Sequence, residues 1–154
     1  MNILFAIQGA EGAAFFRRVA EVAPLERAQR ILLAHVIDTG PRGGIELGRE
    51  RYLGRRALGE TRSAELWQAE EAQARSSVQF ARQALGGEVG VADDRLHEVV
   101  LRGKPNEELR RLAEEEQVDL IVVQGRAGKP GPHSVGKTAR FLIDHSPHSV
   151  LLVR

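Results

Sequence analysis

Short apolar runs punctuate the chain, and the stretches between them place apolar residues at helical spacing. Ile3-Leu4-Phe5-Ala6-Ile7 and Ile31-Leu32-Leu33-Ala34-His35-Val36-Ile37 are nearly continuous apolar runs, too short for helices. Each predicts a strand covered on both faces, as in a parallel sheet. Residues 119–124 and 149–153 read the same way. Residues 95–101 carry His97 and Glu98 among apolar neighbours, a mixture that suits an edge strand. Phe16, Val19, Ala20 and Ala23 fall at i, i+3, i+4 and i+7, which predicts a one-faced helix ending near Pro24. Trp67, Ala74, Val78, Ala81 and Leu85 form a stripe over 61–85, with Trp67 as a core anchor and Gly86-Gly87 as the stop. Pro105 opens a helix with Leu109, Leu112 and Ala113 on its apolar face and Glu114-Glu115-Glu116 in solvent. A last helix runs over 136–144, with Phe141 and Leu142 inward and Pro147 beyond its end.

Strands alternating with helices imply a parallel α/β sheet with helices on both faces. No internal repeat or linker divides residues 1–154, so one domain is expected. Residues 38–60 depart from the pattern, being rich in Gly and Arg with few apolar positions. They read as a long, mobile connection with room for some helix, either a binding lid or a solvated variable insertion, the second being the commoner outcome.

Composition narrows the classes. An apolar content of 42% and a charged content of 28% are ordinary for a globular protein. The absence of Cys excludes a disulfide framework, a thiolate metal site and a thiol nucleophile. A net charge of +1 gives no electrostatic case for nucleic acid. No stretch reaches membrane-spanning length, and the first residues lack the basic region of a secretory signal, so a cytoplasmic protein is expected. Only three of the 22 Lys and Arg residues are Lys: Lys104, Lys129 and Lys137. All three fall in loops after strands, which reads either as codon bias or as point charges gathered near a phosphate.

In doubly wound sheets, ligands bind beyond the carboxyl ends of the strands, where strand order reverses. Two glycine-rich loops fall there, 9–12 and 125–136. Glycine loops opening a helix free backbone N–H groups for an anion. Gly131-Pro132-His133-Ser134-Val135-Gly136-Lys137-Thr138 matches the P-loop spelling, in which Lys meets the phosphates and Thr the Mg²⁺. Against that reading, Gly131 comes well after the strand end at Gln124, and no separate strand is expected to end in an Asp for the metal.

A second resemblance covers nearly the whole chain. ILFAIQGAEG, ILLAHVID, VLRGKPNEELRRLAEEEQVDLIVVQG and VGKTARFLIDHSPHSVLLV are similar to segments of the universal stress protein family. The resemblance implies a five-stranded parallel sheet in the order 3-2-1-4-5, a homodimer joined through the 149–153 edge strand, and an adenine nucleotide as partner. ATP is the implied ligand, with Mg²⁺ possible beside it. In the ATP-binding branch, G-x2-G-x9-G-[ST] wraps the ribose and phosphates. Here Gly125, Gly128 and Gly136 answer to its glycines, with a second spacing of seven residues instead of nine. By the same carry-over Ile7, Gln8 and Gly9 would border the nucleoside, and the Val36 backbone would meet the adenine edge. Gln124, Gly125 and Gly128 would line the ribose and phosphates, and Gly136, Lys137 and Thr138 would offer N–H groups and a charge. Gln8 stands where the family usually has Asp, Ala10 where a small hydroxyl residue would cap the first helix, and Lys137 where Ser or Thr is expected.

No residue pattern marks a catalytic centre. There is no G-x-S-x-G elbow and no carboxylate pair near the loops. His145 and His148 flank Pro147, and His145 reads as a cation near a helix end rather than a metal ligand. His133 is the imidazole placed to meet a phosphate. The expected function is a nucleotide-binding regulatory protein with at most slow ATP hydrolysis and no metal site of its own. The alternatives are a dimer that binds no nucleotide and acts through partners, and a P-loop NTPase using Lys137 and Thr138.

Overall fold

The structure, a computed structural model, describes residues 1–40, 56–126, 131 and 134–154, with 56–63 described as backbone alone. Five parallel strands form one sheet in the order β3-β2-β1-β4-β5, as the family resemblance implies. They are β1 (Asn2–Ile7), β2 (Arg30–Asp38), β3 (Leu96–Gly103), β4 (Leu120–Gln124) and β5 (Ser149–Val153). The helices are α1 (Ala13–Val22), α2 (Arg56–Gln83), α3 (Pro105–Glu115) and α4 (Lys137–His145). No helix among the described residues is long and apolar enough to cross a membrane.

The period of two along each strand divides the core. Ile3, Phe5, Ile31 and Leu33 pack with Phe16 and Val19 of α1, Val78 of α2 and Leu85 just beyond α2 on one face. Leu4, Ala6, Leu32 and Ala34 pack with Leu109, Leu112, Ala139 and Leu142 of α3 and α4 on the other. Both faces of β1 are therefore sealed, which is why its apolar run shows no alternation. The 95–101 run does lie at a sheet edge, where one side of the ladder is open to polar neighbours.

Three local expectations change. Trp67 is 60% exposed, not a core anchor. Residues 64–70 of α2 are all exposed, Leu66 among them, so no packed layer receives the indole there. Its ring instead lies under the Arg102 guanidinium at 5.5 Å. The Gly86-Gly87 pair does not end α2. That helix widens into a π turn over Ala84–Val89, and the left-handed Gly90 closes it. Phe141 is only half-buried and stacks on His145 at 4.5 Å. Residues 56–60 are the start of α2, the helix that the 38–60 connection leaves room for, and 41–55 lie outside the described residues.

Candidate functional site

Strand order reverses between β1 and β4, and the crevice beyond their ends is where an open α/β sheet places its ligand. Two cavities meet there. The first, about 570 Å³, is walled mainly by apolar atoms from Val36, Leu66, Ala69, Pro105 and Leu109. The second, about 520 Å³, is more polar and carries Arg126 and Lys137 beside Gln124 and Gly136. Gln8, Asp38 and Thr138 line both cavities and so mark their junction.

The second cavity is built by the start of α4. Its N-cap, Gly136, has φ 82°, a conformation that favours glycine, and no side chain caps the helix. Its first N–H groups are thus left without a capping side chain, with the positive end of the helix dipole beside the cavity. Lys137 begins that helix, and Arg126 approaches from the end of β4, its Nε 3.7 Å from where a Cβ on Gly136 would sit.

The loop is held from behind. Ser134 is buried, and its Oγ donates to the Gly131 carbonyl at 2.8 Å and accepts from Arg154 at 2.9 Å. Arg126 N–H donates to the Ser134 carbonyl at 2.8 Å. Gly125 is buried against Arg154, whose Cγ lies 2.9 Å from a Cβ built there. Close approach, not a left-handed backbone, is what calls for glycine at this position.

The β1–α1 loop is organised by an internal anion. Glu11 is 7% exposed, and its carboxylate accepts from the Gln8 N–H at 2.7 Å and the Gly9 N–H at 2.8 Å. Gly9 has φ +90°, and a Cβ there would meet Ser77 Oγ at 2.9 Å. Ala10 caps nothing; α1 starts from Gly12 without a side-chain cap. Next to Ile7 in the sheet, His35 lines the first cavity, and its Nδ1 is buried with no hydrogen-bond partner among the described residues. Burial pulls the imidazole below its ordinary value, opposed by the Glu11 charge and by the nearby Ile7 backbone.

That direction gives a pH signature. A histidine harder to protonate when folded leaves the unfolded chain holding more protons just below 6.5, so its contribution to stability is complete above 6.5 and shrinks as pH falls toward the folded value. The melting-temperature difference between wild type and His35→Gln is expected to be flat above pH 6.5 and to move against the wild type below it. Paired thermal melts across the range check this, and a difference independent of pH would refute it.

Seven residues expected at the site line the two cavities: Ile7, Gln8, Val36, Gln124, Gly136, Lys137 and Thr138. Gly9 and Gly125 line neither and shape the loops from behind. Gly128, Lys129 and His133 lie outside the described residues. Lys104 lines neither cavity and pairs with Glu107 at 3.1 Å, apart from Lys137. Sequence reading missed Glu11, Asp38 and Arg126 as site residues. Arg126 directly follows a loop glycine, a positional signal, and Asp38 ends β2 beside Lys137 and Thr138, which corrects the expectation that no separate strand ends in an Asp; Glu11 offers no signal beyond lying in a glycine turn.

A doubly wound sheet with an uncapped helix start facing a switch-point crevice defines an α/β protein of the Rossmann-like kind. A model of the universal stress protein family matches residues 1–154. The chain belongs to that family. Comparison with curated proteins gives no match. Among solved structures, it is similar to the universal stress protein UspA from Lactobacillus plantarum, at 22% identity and a TM-score of 0.65 over 100% of this chain and 97% of that one. It is similar to the universal stress protein from Archaeoglobus fulgidus in complex with dAMP, at 19% identity and 0.63 over 100% and 98%. It is also similar to a universal stress protein family protein from Arabidopsis thaliana with AMP bound, at 16% identity and 0.57 over 99% and 90%. At such identities these likenesses speak to the fold.

Proposed function

We propose that this protein is a cytoplasmic, single-domain regulator that binds ATP or a related adenine nucleotide at the switch-point crevice and does not turn it over efficiently. The carrying observation is the contrast between two adjoining cavities, one apolar and one cationic, that share Gln8, Asp38 and Thr138. A purine fits the chemistry of the first, and phosphates fit the second, with Arg126, Lys137 and the N–H groups of α4 around them. Gln8 still donates and accepts hydrogen bonds where the family usually has Asp. The AMP and dAMP complexes of the relatives support the same ligand class. Among the described residues no group of three or more His, Asp or Glu would hold a metal. Mg²⁺ would therefore arrive with the phosphates.

A P-loop NTPase is less well supported. Ser134 N–H donates to the Gly131 carbonyl at 3.0 Å and Gly131 N–H to Ser134 Oγ at 3.3 Å. Two N–H groups that a P-loop would turn to phosphate are thus committed within the loop. β5, the last strand of the sheet order and among the described residues paired only with β4, supports joining to a second copy.

Titration calorimetry with ATP, with and without Mg²⁺, is expected to show saturable binding, and sedimentation a dimer. No heat at millimolar ATP would remove the nucleotide reading in favour of a dimer that acts only through partners. A monomer at high concentration would remove the dimer.

A further inference from the structure

The junction between the cavities carries information that neither cavity holds alone. With a base in the apolar cavity and phosphates beside Arg126 and Lys137, the sugar spans the junction, where Gln8, Asp38 and Thr138 line both sides. Two of these are neutral. Asp38 is the exception, a carboxylate at the place where a ribose would expose its hydroxyls.

Asp38 is also held firmly. It is the last residue of β2, in register with Gly103, and the next N–H, of Thr39, donates to the Gly103 carbonyl at 3.1 Å. Its Oδ1 accepts the Gly40 N–H at 2.8 Å, an Asx turn that sets the plane of the carboxylate and leaves Oδ2 for another donor. A group built on the end of a strand aims more precisely than one on a free loop.

We infer that Asp38 is the specificity-determining residue for the sugar, accepting hydrogen bonds from a free ribose diol and rejecting nucleotides phosphorylated at the 2′ or 3′ oxygen. The inference rests on nucleotide binding at this crevice. An ionised carboxylate only accepts hydrogen bonds, so it pairs with hydroxyl donors and has nothing to offer a phosphate but repulsion. An acidic residue reads the ribose in dinucleotide-binding sheets by the same chemistry.

The test compares ADP with adenosine 3′,5′-bisphosphate, which carry the same base and the same number of phosphates and differ in where the second one sits. Calorimetry in EDTA removes any metal bridge. The wild type is expected to prefer ADP by about 100-fold, the scale of exchanging a charged hydrogen bond for a charge clash. Asp38→Asn is expected to bind ADP about tenfold more weakly, through loss of the charge-assisted bonds, and to bind the bisphosphate better than the wild type does, so that the preference falls about tenfold or more. Unchanged thermal melts would exclude a folding defect as the cause. Asp38→Ala, which also removes the Asx turn, should lower the preference in the same direction. An unchanged ratio in Asp38→Asn overturns the inference and leaves nucleotide binding intact. A wild type that binds neither compound overturns both.

Discussion

Replacing Glu11 by Ala is expected to lower the stability of the fold by about 3 kcal/mol, since hydrogen bonds to a charged group are each worth about 1.5–3 kcal/mol and this carboxylate accepts two. The cost arises because the Gln8 and Gly9 N–H groups stand at the end of a central strand, where the sheet no longer supplies acceptors. Glu11 reaches back three and two residues to satisfy them, and burial of the carboxylate at 7% exposure keeps competing water away. Glu11→Gln retains one amide oxygen but turns an NH₂ toward the other donor, so about half the loss is expected. Urea unfolding of the three proteins checks the order, wild type above Gln above Ala. Equal midpoints for Ala and wild type would mean that water replaces the carboxylate at no cost. The same variants bear on function, because Gln8 borders both cavities and its backbone is held by this carboxylate.

Removing Arg126 and Lys137 together is expected to weaken ATP binding by about 100-fold, and each singly by about tenfold, on the scale of one charge-assisted hydrogen bond apiece. Both side chains are exposed, and folding stability should change little. The loss should be greatest for ATP and least for AMP, since these cations face the phosphate end, and it should narrow as salt is raised. Titrations of the Ala variants with ATP, ADP and AMP at two ionic strengths decide it. A uniform loss across the three nucleotides would move the phosphates out of the Arg126–Lys137 cavity. Collapse of ATP turnover in Lys137→Ala at unchanged affinity would instead revive the P-loop reading.

How much was legible differs from residue to residue. The strands were readable because a parallel sheet sealed on both faces imposes continuous apolar runs, and Ile3 to Ile7 shows that signal without interruption. The stripe of Ala74, Val78, Ala81 and Leu85 was readable because α2 lies along the sheet there. Trp67 belongs to the same stripe and misleads, because periodicity reports which way a residue points and not whether anything stands opposite. The strand order came through family resemblance; apolar periodicity cannot rank strands across a sheet. Gly125 shows the same boundary at the site. Its motif position is plain, yet its glycine answers to Arg154, twenty-nine residues later in the chain.

The amino-acid sequence by itself determined the alternation of strand and helix, the two glycine loops beyond the strand ends, the cationic helix start at Lys137 and membership of the universal stress protein family. These follow from interactions among near neighbours in the chain, where period, turn residues and caps act. Only the tertiary structure decided that Glu11 fills the first loop with an internal carboxylate, that Arg154 and Ser134 brace the second, and that Asp38 stands where an apolar and a cationic cavity meet. Each of these depends on the distance between elements brought together by the crossovers of the sheet, a quantity that no local pattern encodes.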